Sequence, residues 1–418
     1  MQQTVKWSRL FYLCATVTTL TIPFSIFASD FNLPFINASD LGNMYAGWAA
    51  SATDASTATT NPAGLTRLKT PQLVVAMLDV SGNTQFTGRT GTPFSSQSGT
   101  ANGTLGGGLP LFYISKPLTE RITVAFGESA PFALGTHYDK SSIVRYSATK
   151  SQILVADVSP SIGFKINKSL SVGLGLDIDR IFLTLNNMYG PPLSTPDGEG
   201  QNHLWGTGLG AHAGVLYEIN PCIRVGLNFT SQVSFHLSGN SQVYSIAGNG
   251  RVRQTANIPM PALGQLSIYS DVTPRWAAMA TVFYTHWSTV QQLTLQNTAL
   301  PGGFTAPVSI PLRYHNTVDY FFGTNFKATQ KWVFKGGMQL LNTPTNNQVR
   351  IVADPISTMV LMGIGAHYQQ NPCVGYDIGY SHDFFHQAHI RQVTAVTSAV
   401  GHSITESNIV GAQVTWNI

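Results

Sequence analysis

Six times along this chain, a strand that ends on or beside an aromatic residue runs into a short polar or proline-containing turn. Each turn leads into a new strand of small and apolar residues. These segments span residues 112–127, 164–175, 217–229, 269–284, 326–337 and 368–380. Between and beside them lie seven longer stretches rich in Gly, Ser, Pro and Asn: 82–107, 136–149, 189–202, 238–253, 296–310, 343–356 and 388–401. Short turns on one side and long loops on the other are the pattern of an outer-membrane barrel. Six turns and seven loops join fourteen strands, an even number with both chain ends on the short-turn side.

Residues 72–79, 151–165 and 169–179 are β-rich, and several such segments alternate between apolar and polar positions. Beyond residue 28 no window holds 18 unbroken apolar residues. A membrane-embedded chain of this kind has to span with strands, because only helices and closed barrels satisfy their own backbone in lipid. Charge points the same way. Only 10% of the residues are charged, against about 25% in soluble domains, so an ordinary charged exterior cannot be built. The net charge of +4 contains no basic run, which argues against a nucleic-acid partner.

The first 28 residues read as a secretory signal: Lys6 and Arg9, an apolar core, and a small residue, Ala28, at the cut. Cys14 would leave with it. Cys222 and Cys373 remain, in matching Asn-Pro-Cys turns between strands six and seven and strands twelve and thirteen. Those turns lie far apart on the rim, and a disulfide needs Cα atoms within about 7 Å, so two free thiols are expected. Residues 29–70 are rich in small residues and do not alternate. Their Ala-rich middle suits short helices with Ser39 or Asp40 and Asp54 as caps. A fourteen-stranded barrel is too wide for side chains alone to fill, so this segment is expected to be a mainly helical plug, or hatch. The organisation is then signal 1–28, hatch 29–70 and transmembrane β-barrel 71–418.

The same segment carries a resemblance. Ser29-Asp30-Phe31-Asn32-Leu33, Leu41-Gly42-Asn43-Met44-Tyr45-Ala46-Gly47, Asp54-Ala55-Ser56 and Asn61-Pro62-Ala63-Gly64 resemble the start of the FadL-like family of outer-membrane long-chain fatty acid transporters. Ile258-Pro259-Met260-Pro261-Ala262, Phe283-Tyr284-Thr285-His286-Trp287-Ser288 and Ala353-Asp354-Pro355 extend the likeness over nearly the whole mature chain. The resemblance implies a fourteen-stranded barrel plugged by an N-terminal hatch, with an inward kink in strand three. It also implies a channel for hydrophobic molecules, foremost long-chain fatty acids, with aromatic hydrocarbons as alternative cargo; the sequence shows no ATP-binding motif or energy-coupling segment, so passive flow is expected, and a porin for small polar solutes is a rival reading. No cofactor is expected. The partners are the hydrophobic ligand and the lipid and lipopolysaccharide of the outer membrane, and a plugged barrel can work as a monomer. The end, Val414-Thr415-Trp416-Asn417-Ile418, departs from the usual aromatic terminus.

Three groups of site residues follow. Phe31, Leu33 and Phe35 could supply an apolar pocket on the hatch. Asn61, Pro62 and Ala63 would latch the hatch to the wall; an ordinary turn is the alternative. Gly127, Ser129 and Pro131 interrupt strand three, where Pro cannot donate to the ladder and Gly marks a bulge, so they are expected to border a lateral opening. On strand five, Val172, Leu174, Leu176 and Ile178 share the lipid-facing side with Arg180, while Asp177 and Asp179 point inward. Arg180 therefore reads as an interfacial anchor and not as the ligand of a substrate carboxylate. Gly127-Glu128-Ser129-Ala130-Pro131 lacks the helix a hydrolase elbow needs, and Gly206-Thr207-Gly208 has no βαβ unit around it. On a strand His389 faces away from His382 and His386, so no metal site is expected. No enzyme activity is expected either; an adhesin built on the long loops is the remaining rival.

Overall fold

The structure, a computed structural model, describes residues 29–32, 36–191, 193–355, 357–394 and 396–418. The expected signal, residues 1–28, lies outside the described residues, as do Leu33 and Phe35. The described residues form one antiparallel sheet of 20 hydrogen-bonded segments. Ser29–Asn32 is a separate N-terminal strand, and five wall strands are each split in two, which leaves fourteen wall strands. They are β1 (Gln72–Thr92), β2 (Ser95–Pro117), β3 (Ile122–Tyr138), β4 (Lys150–Lys165), β5 (Leu170–Tyr189) and β6 (Gly198–Asn220). Next come β7 (Ile223–Thr230 and Val233–Tyr244), β8 (Gly250–Met260 and Leu263–Asp271) and β9 (Trp276–Thr285 and Gln292–Leu300). The circuit ends with β10 (Phe304–Pro311 and Thr317–Lys327), β11 (Trp332–Leu341), β12 (Met359–Asn371), β13 (Val374–Phe385 and Ala388–Val393) and β14 (Ser398–Asn417). Each strand pairs with the next, and β1 pairs with β14 from Gln72↔Asn417 to Gly91↔Ser398. The barrel is closed.

All six short turns are built the same way. An Asn or Thr side-chain oxygen accepts from the backbone N–H groups two and three residues ahead, which reverses the chain. Asn220 accepts from Cys222 and Ile223 at 2.8 and 2.9 Å, and Asn371 from Cys373 and Val374 at 2.8 and 3.0 Å. Thr119, Asn167, Thr273 and Thr329 do the same in the other four. Just above these turns, Trp276 lies 4.6 Å from Phe326 and Trp332 lies 4.7 Å from Tyr368, ring to ring. Aromatic groups at this height form an interfacial girdle.

The expected long loops are corrected in one respect. Residues 82–107 are a strand extension, with β1 and β2 paired continuously from Gln72↔Ser115 to Thr92↔Ser95. Parts of 238–253, 296–310 and 388–401 are strand as well. Above the membrane both faces of a strand meet water, so its composition resembles that of a loop. Only the alternation of buried Phe86, Thr90 and Ala101 betrays the pairing.

Alternation holds lower in the wall. Leu174, Leu176 and Ile178 are exposed on the outer face, while Asp177 and Asp179 are buried within. Arg180 lies outside, its guanidinium 4.6 Å from the Trp205 ring. Cys222 and Cys373 are free and exposed. The short turns of such a barrel face the periplasm, so a bulky maleimide–polyethylene glycol should label both thiols of the purified protein and neither in intact cells. Labelling in intact cells would reverse the assigned orientation.

Candidate functional site

Residues 36–70 pack against inward-facing side chains of the wall and are almost entirely buried between Ile36 and Thr66. The expectation of a mainly helical segment meets a chain of turns. Among its described residues the helical pieces are α1 (Trp48–Ser51), α2 (Thr57–Thr60) and a 3-10 turn, Pro62–Arg67. Irregular backbone leaves carbonyls without partners, and buried carbonyls need them. The wall supplies the donors. Arg224 donates to the Ala50 and Ser51 carbonyls at 3.0 and 3.2 Å, Gln265 to Thr60 at 2.6 Å and Gln339 to Met44 at 2.9 Å. Lys335 reaches the Ser39 carbonyl at 2.5 Å while paired with Asp377 at 2.9 Å. In the reverse direction Gly47 N–H donates to Thr281 at 2.8 Å.

Asn61 sits where these contacts converge. Its Nδ2 donates to the Ala49 carbonyl at 2.6 Å and to the Val215 carbonyl of β6 at 3.0 Å, and its Oδ1 caps Ala63 N–H at 3.1 Å. Two wall glycines make room for it: a Cβ on Gly214 would fall 1.9 Å from Asn61 Oδ1, and one on Gly173 2.3 Å from the Ala63 nitrogen. Asn61, Pro62 and Ala63 are thus brought together against β5 and β6.

The three residues of strand three are placed at a break in the ladder. β2 and β3 pair up to Phe112↔Glu128 and resume only at Thr104↔His137. β3 and β4 slip register between Ser129↔Asp157 and Phe132↔Val155, one extra residue on β3. Ser129 donates to Asp157 at 3.3 Å, Pro131 lies in the bulge, and Gly127 is still paired on both sides just below it. Gly127 faces inward, where a Cβ would stand 2.7 Å from the Tyr113 ring. The N-terminal strand lines the interruption, pairing Ser29↔Leu134, Asp30↔Ala133 and Asn32↔Phe132. Phe31 belongs to this strand; its expected partners Leu33 and Phe35 lie outside the described residues.

Sequence reasoning missed what lies inside the break. A cavity of about 60 Å³ is bounded by Trp48, Phe132, Met260 and Phe283 on one side and by Asp157, Asp177, Asp179 and His212 on another. His212 Nδ1 lies 2.6 Å from Asp177, and its Nε2 lies 2.8 Å from the Ala58 carbonyl. The inward parity of Asp157, Asp177 and Asp179 was readable, but their convergence depends on cross-strand register. Above the cavity the lumen is apolar, with Val155, Ile181, Leu204, Phe235, Ile258 and Leu295 buried on successive strands β4 to β9. Among the described residues no group of three His, Cys, Asp or Glu side chains is placed to hold a metal ion. His382 bonds Asn408, and His389 meets His402 edge-on, with ring centroids 6.5 Å apart.

The sequence profile of one family, described as outer membrane protein transport protein (OMPP1/FadL/TodX), matches residues 19–417. The chain belongs to this family. It is 24% identical to outer membrane protein P1 of Haemophilus influenzae and to a long-chain fatty acid transport protein of Escherichia coli O6:H1, covering 88% of this chain and 89% of each relative. Its fold is similar to that of a Pseudomonas aeruginosa FadL homologue, with a TM-score of 0.83 at 20% identity over 93% of this chain and 99% of that one. The toluene transporter TbuX of Ralstonia pickettii gives 0.66 at 18% identity, over 90% and 97%. The chain is thus an OMPP1/FadL/TodX-family transporter of hydrophobic compounds, located in the outer membrane.

Two expectations follow for this family member. Each buried hydrogen bond contributes about 1 kcal/mol, so loss of the three that Asn61 makes in Asn61→Ala should speed hydrogen exchange of residues 47–66 on the order of a hundredfold and leave the wall unchanged; no change would reduce Asn61 to a turn residue. The second concerns the loop after β11. Burial pushes the Asp354 carboxyl up to about 8, against the Tyr314 hydrogen bond of 3.1 Å and the Arg350 charge. A raised folded-state value means that the stabilisation is complete below the ordinary value of 3.8 and is lost as pH rises through about 8. Limited proteolysis of residues 342–358 should accelerate over that window, and Asp354→Asn should abolish the dependence.

Proposed function

We propose that this chain is a passive channel in which residues 29–70 form a hatch and hydrophobic molecules leave sideways through the break in strand β3. The hatch follows an exported chain's signal, residues 1–28. The observation that carries the reading is the interruption between Phe112↔Glu128 and Thr104↔His137, beside an apolar lumen and a packed N-terminal segment. A hydrophobic molecule entering from lipopolysaccharide would move down through the apolar strand faces of β4 to β9. At the floor the hatch stops vertical passage, because Trp48 packs 5.8 Å from Phe283 and 6.0 Å from Phe321, ring to ring. The bulge at Pro131 offers the remaining direction, into lipid, where the hydrophobic effect favours an apolar solute. Asn61, Pro62 and Ala63 act as the latch that keeps the hatch seated, and Phe31, Leu33 and Phe35 would contribute apolar contacts at its start. The names of the relatives offer fatty acids and toluene as cargo classes. The packed floor counts against an open porin, and no residue set here calls for an energy-coupling partner.

Deleting Pro131 removes the one extra residue of β3 and should restore its register with β4. Uptake of a hydrophobic probe should then fall to background at equal surface expression, with a heat-modifiable, folded barrel. Planar bilayers should show near silence for the parent chain. Undiminished uptake in the deletion would rule out the lateral route.

A further inference from the structure

Above its apolar band, the outer face of strands β4 to β8 turns polar and cationic. On β5 the outward residues Leu174, Leu176 and Ile178 give way, past Arg180 and Phe182, to Thr184 and Asn186. On β6 the same change runs from Leu209 through Trp205 to His203 and Gln201. From Tyr217 near the short turn up to Trp205 the strand climbs about 30 Å, at ~3.3 Å per residue and a tilt of ~40°. That climb spans the hydrocarbon core of a bilayer. The outward residues beyond Trp205 therefore stand among the headgroups of the outer leaflet.

Register across the wall assembles them into two rows. Lys150, Asn186, Gln201, Gln242 and Arg251 lie directly opposite one another on β4 to β8. One step lower, Thr184, His203, Asn240 and Arg253 do the same on β5 to β8. Neither row contains Asp or Glu. Among the described residues no carboxylate comes within ion-pair distance of Lys150, Arg180, Arg251 or Arg253. The outward carboxylate next along β6, Glu199, lies one step higher and is taken by Lys140 at 2.7 Å and Gln201 at 2.9 Å. By contrast β1, β3 and β14 carry exposed carboxylates, Asp79, Glu128 and Glu406. The cations of β4 to β8 are thus a local patch and not a uniform rim.

We propose that this patch binds lipopolysaccharide of the outer leaflet through its phosphorylated sugar headgroup. Four inter-strand steps of ~4.8 Å put Lys150 about 19 Å from Arg251 along the row. A headgroup with a phosphate at each end of a sugar pair meets a cation at each end of the row. Arg251 and Arg253 share one face of β8, about 7 Å apart, and guanidinium forks match phosphate oxygens. Lys150 serves the other end as a point charge. Between them Asn186, Gln201, Gln242 and Asn240 offer both donors and acceptors, which suits sugar hydroxyls and amides. The acyl chains then lie against Phe182, Trp205 and the apolar residues below. This site depends on the outer-membrane location alone and stands whether or not cargo leaves beside Pro131.

The test is binding of bisphosphoryl lipid A to folded residues 29–418 in detergent micelles, followed by native mass spectrometry, against the same lipid A stripped of both phosphates. The bisphosphoryl form should bind on the order of a hundredfold more tightly, since each Lys or Arg near an anionic lipid surface contributes about fivefold. Added salt should narrow the difference. The Lys150→Gln, Arg251→Gln, Arg253→Gln triple variant should lose most of it, whereas Arg391→Gln, which removes an exposed cation of β13, should lose none. Equal binding of the two lipid A forms overturns the proposal, and so does an equal loss in Arg391→Gln and the triple variant. Phosphatidylglycerol binding the parent chain as tightly as bisphosphoryl lipid A would make the patch a general anionic surface and overturn the lipopolysaccharide assignment. The parent comparison decides the matter even if the triple variant fails to fold.

Discussion

An irregular segment of chain placed at membrane depth must find a partner for every backbone carbonyl and amide, and no solvent is at hand to provide one. The interior of this barrel is organised around that requirement. Residues 36–70 make little helix of their own, so the wall carries Arg224, Gln265, Gln339 and Lys335 at heights where the Ala50, Ser51, Thr60, Met44 and Ser39 carbonyls would otherwise be orphaned. The charges in that list are not there to meet a ligand. They are consumed in holding the segment, which leaves the lumen above it apolar.

The same accounting explains the break in strand β3. A closed wall has no spare edge, and proline removes a donor where the ladder needs one. The extra residue between Ser129 and Phe132 shifts β3 relative to β4, and on the other side β2 and β3 part between Phe112↔Glu128 and Thr104↔His137. The exposed hydrogen-bonding edge does not stay bare, since Ser29–Asn32 adds to it as an antiparallel strand. Under the lateral route proposed above, this short, non-wall strand is the element that would move aside, because few hydrogen bonds hold it.

Polarity is layered along the barrel axis. The outer face presents Leu174, Leu176 and Ile178 to lipid and ends at Arg180 over Trp205. Inside, the apolar residues of β4 to β9 form the upper lumen, and the carboxylates, His212 and the N-terminal segment form its floor. A second, more polar cavity of about 290 Å³ lies below, lined by Asp40, Asp54, Lys335 and Asp377 among others. On the lateral route proposed above, apolar cargo would meet these polar groups ahead and the bulge at its side.

The order and number of the strands were legible because each short turn is local: an Asn or Thr followed at once by a strand start is chemistry contained within four residues. Alternation is local too, which is why Asp177 and Asp179 could be placed inside and Arg180 outside from their spacing alone. The fate of residues 82–107 was not legible, since a strand wetted on both faces has the composition of a loop. Nor was the partnership of Asn61 with Val215, of His212 with Asp177 and Ala58, or of the N-terminal strand with Phe132 and Leu134. Those contacts join residues distant in sequence, and their existence depends on the register in which neighbouring strands lie. Spacing fixes which face a side chain takes; only closure of the barrel around its N-terminal segment decides what that side chain meets.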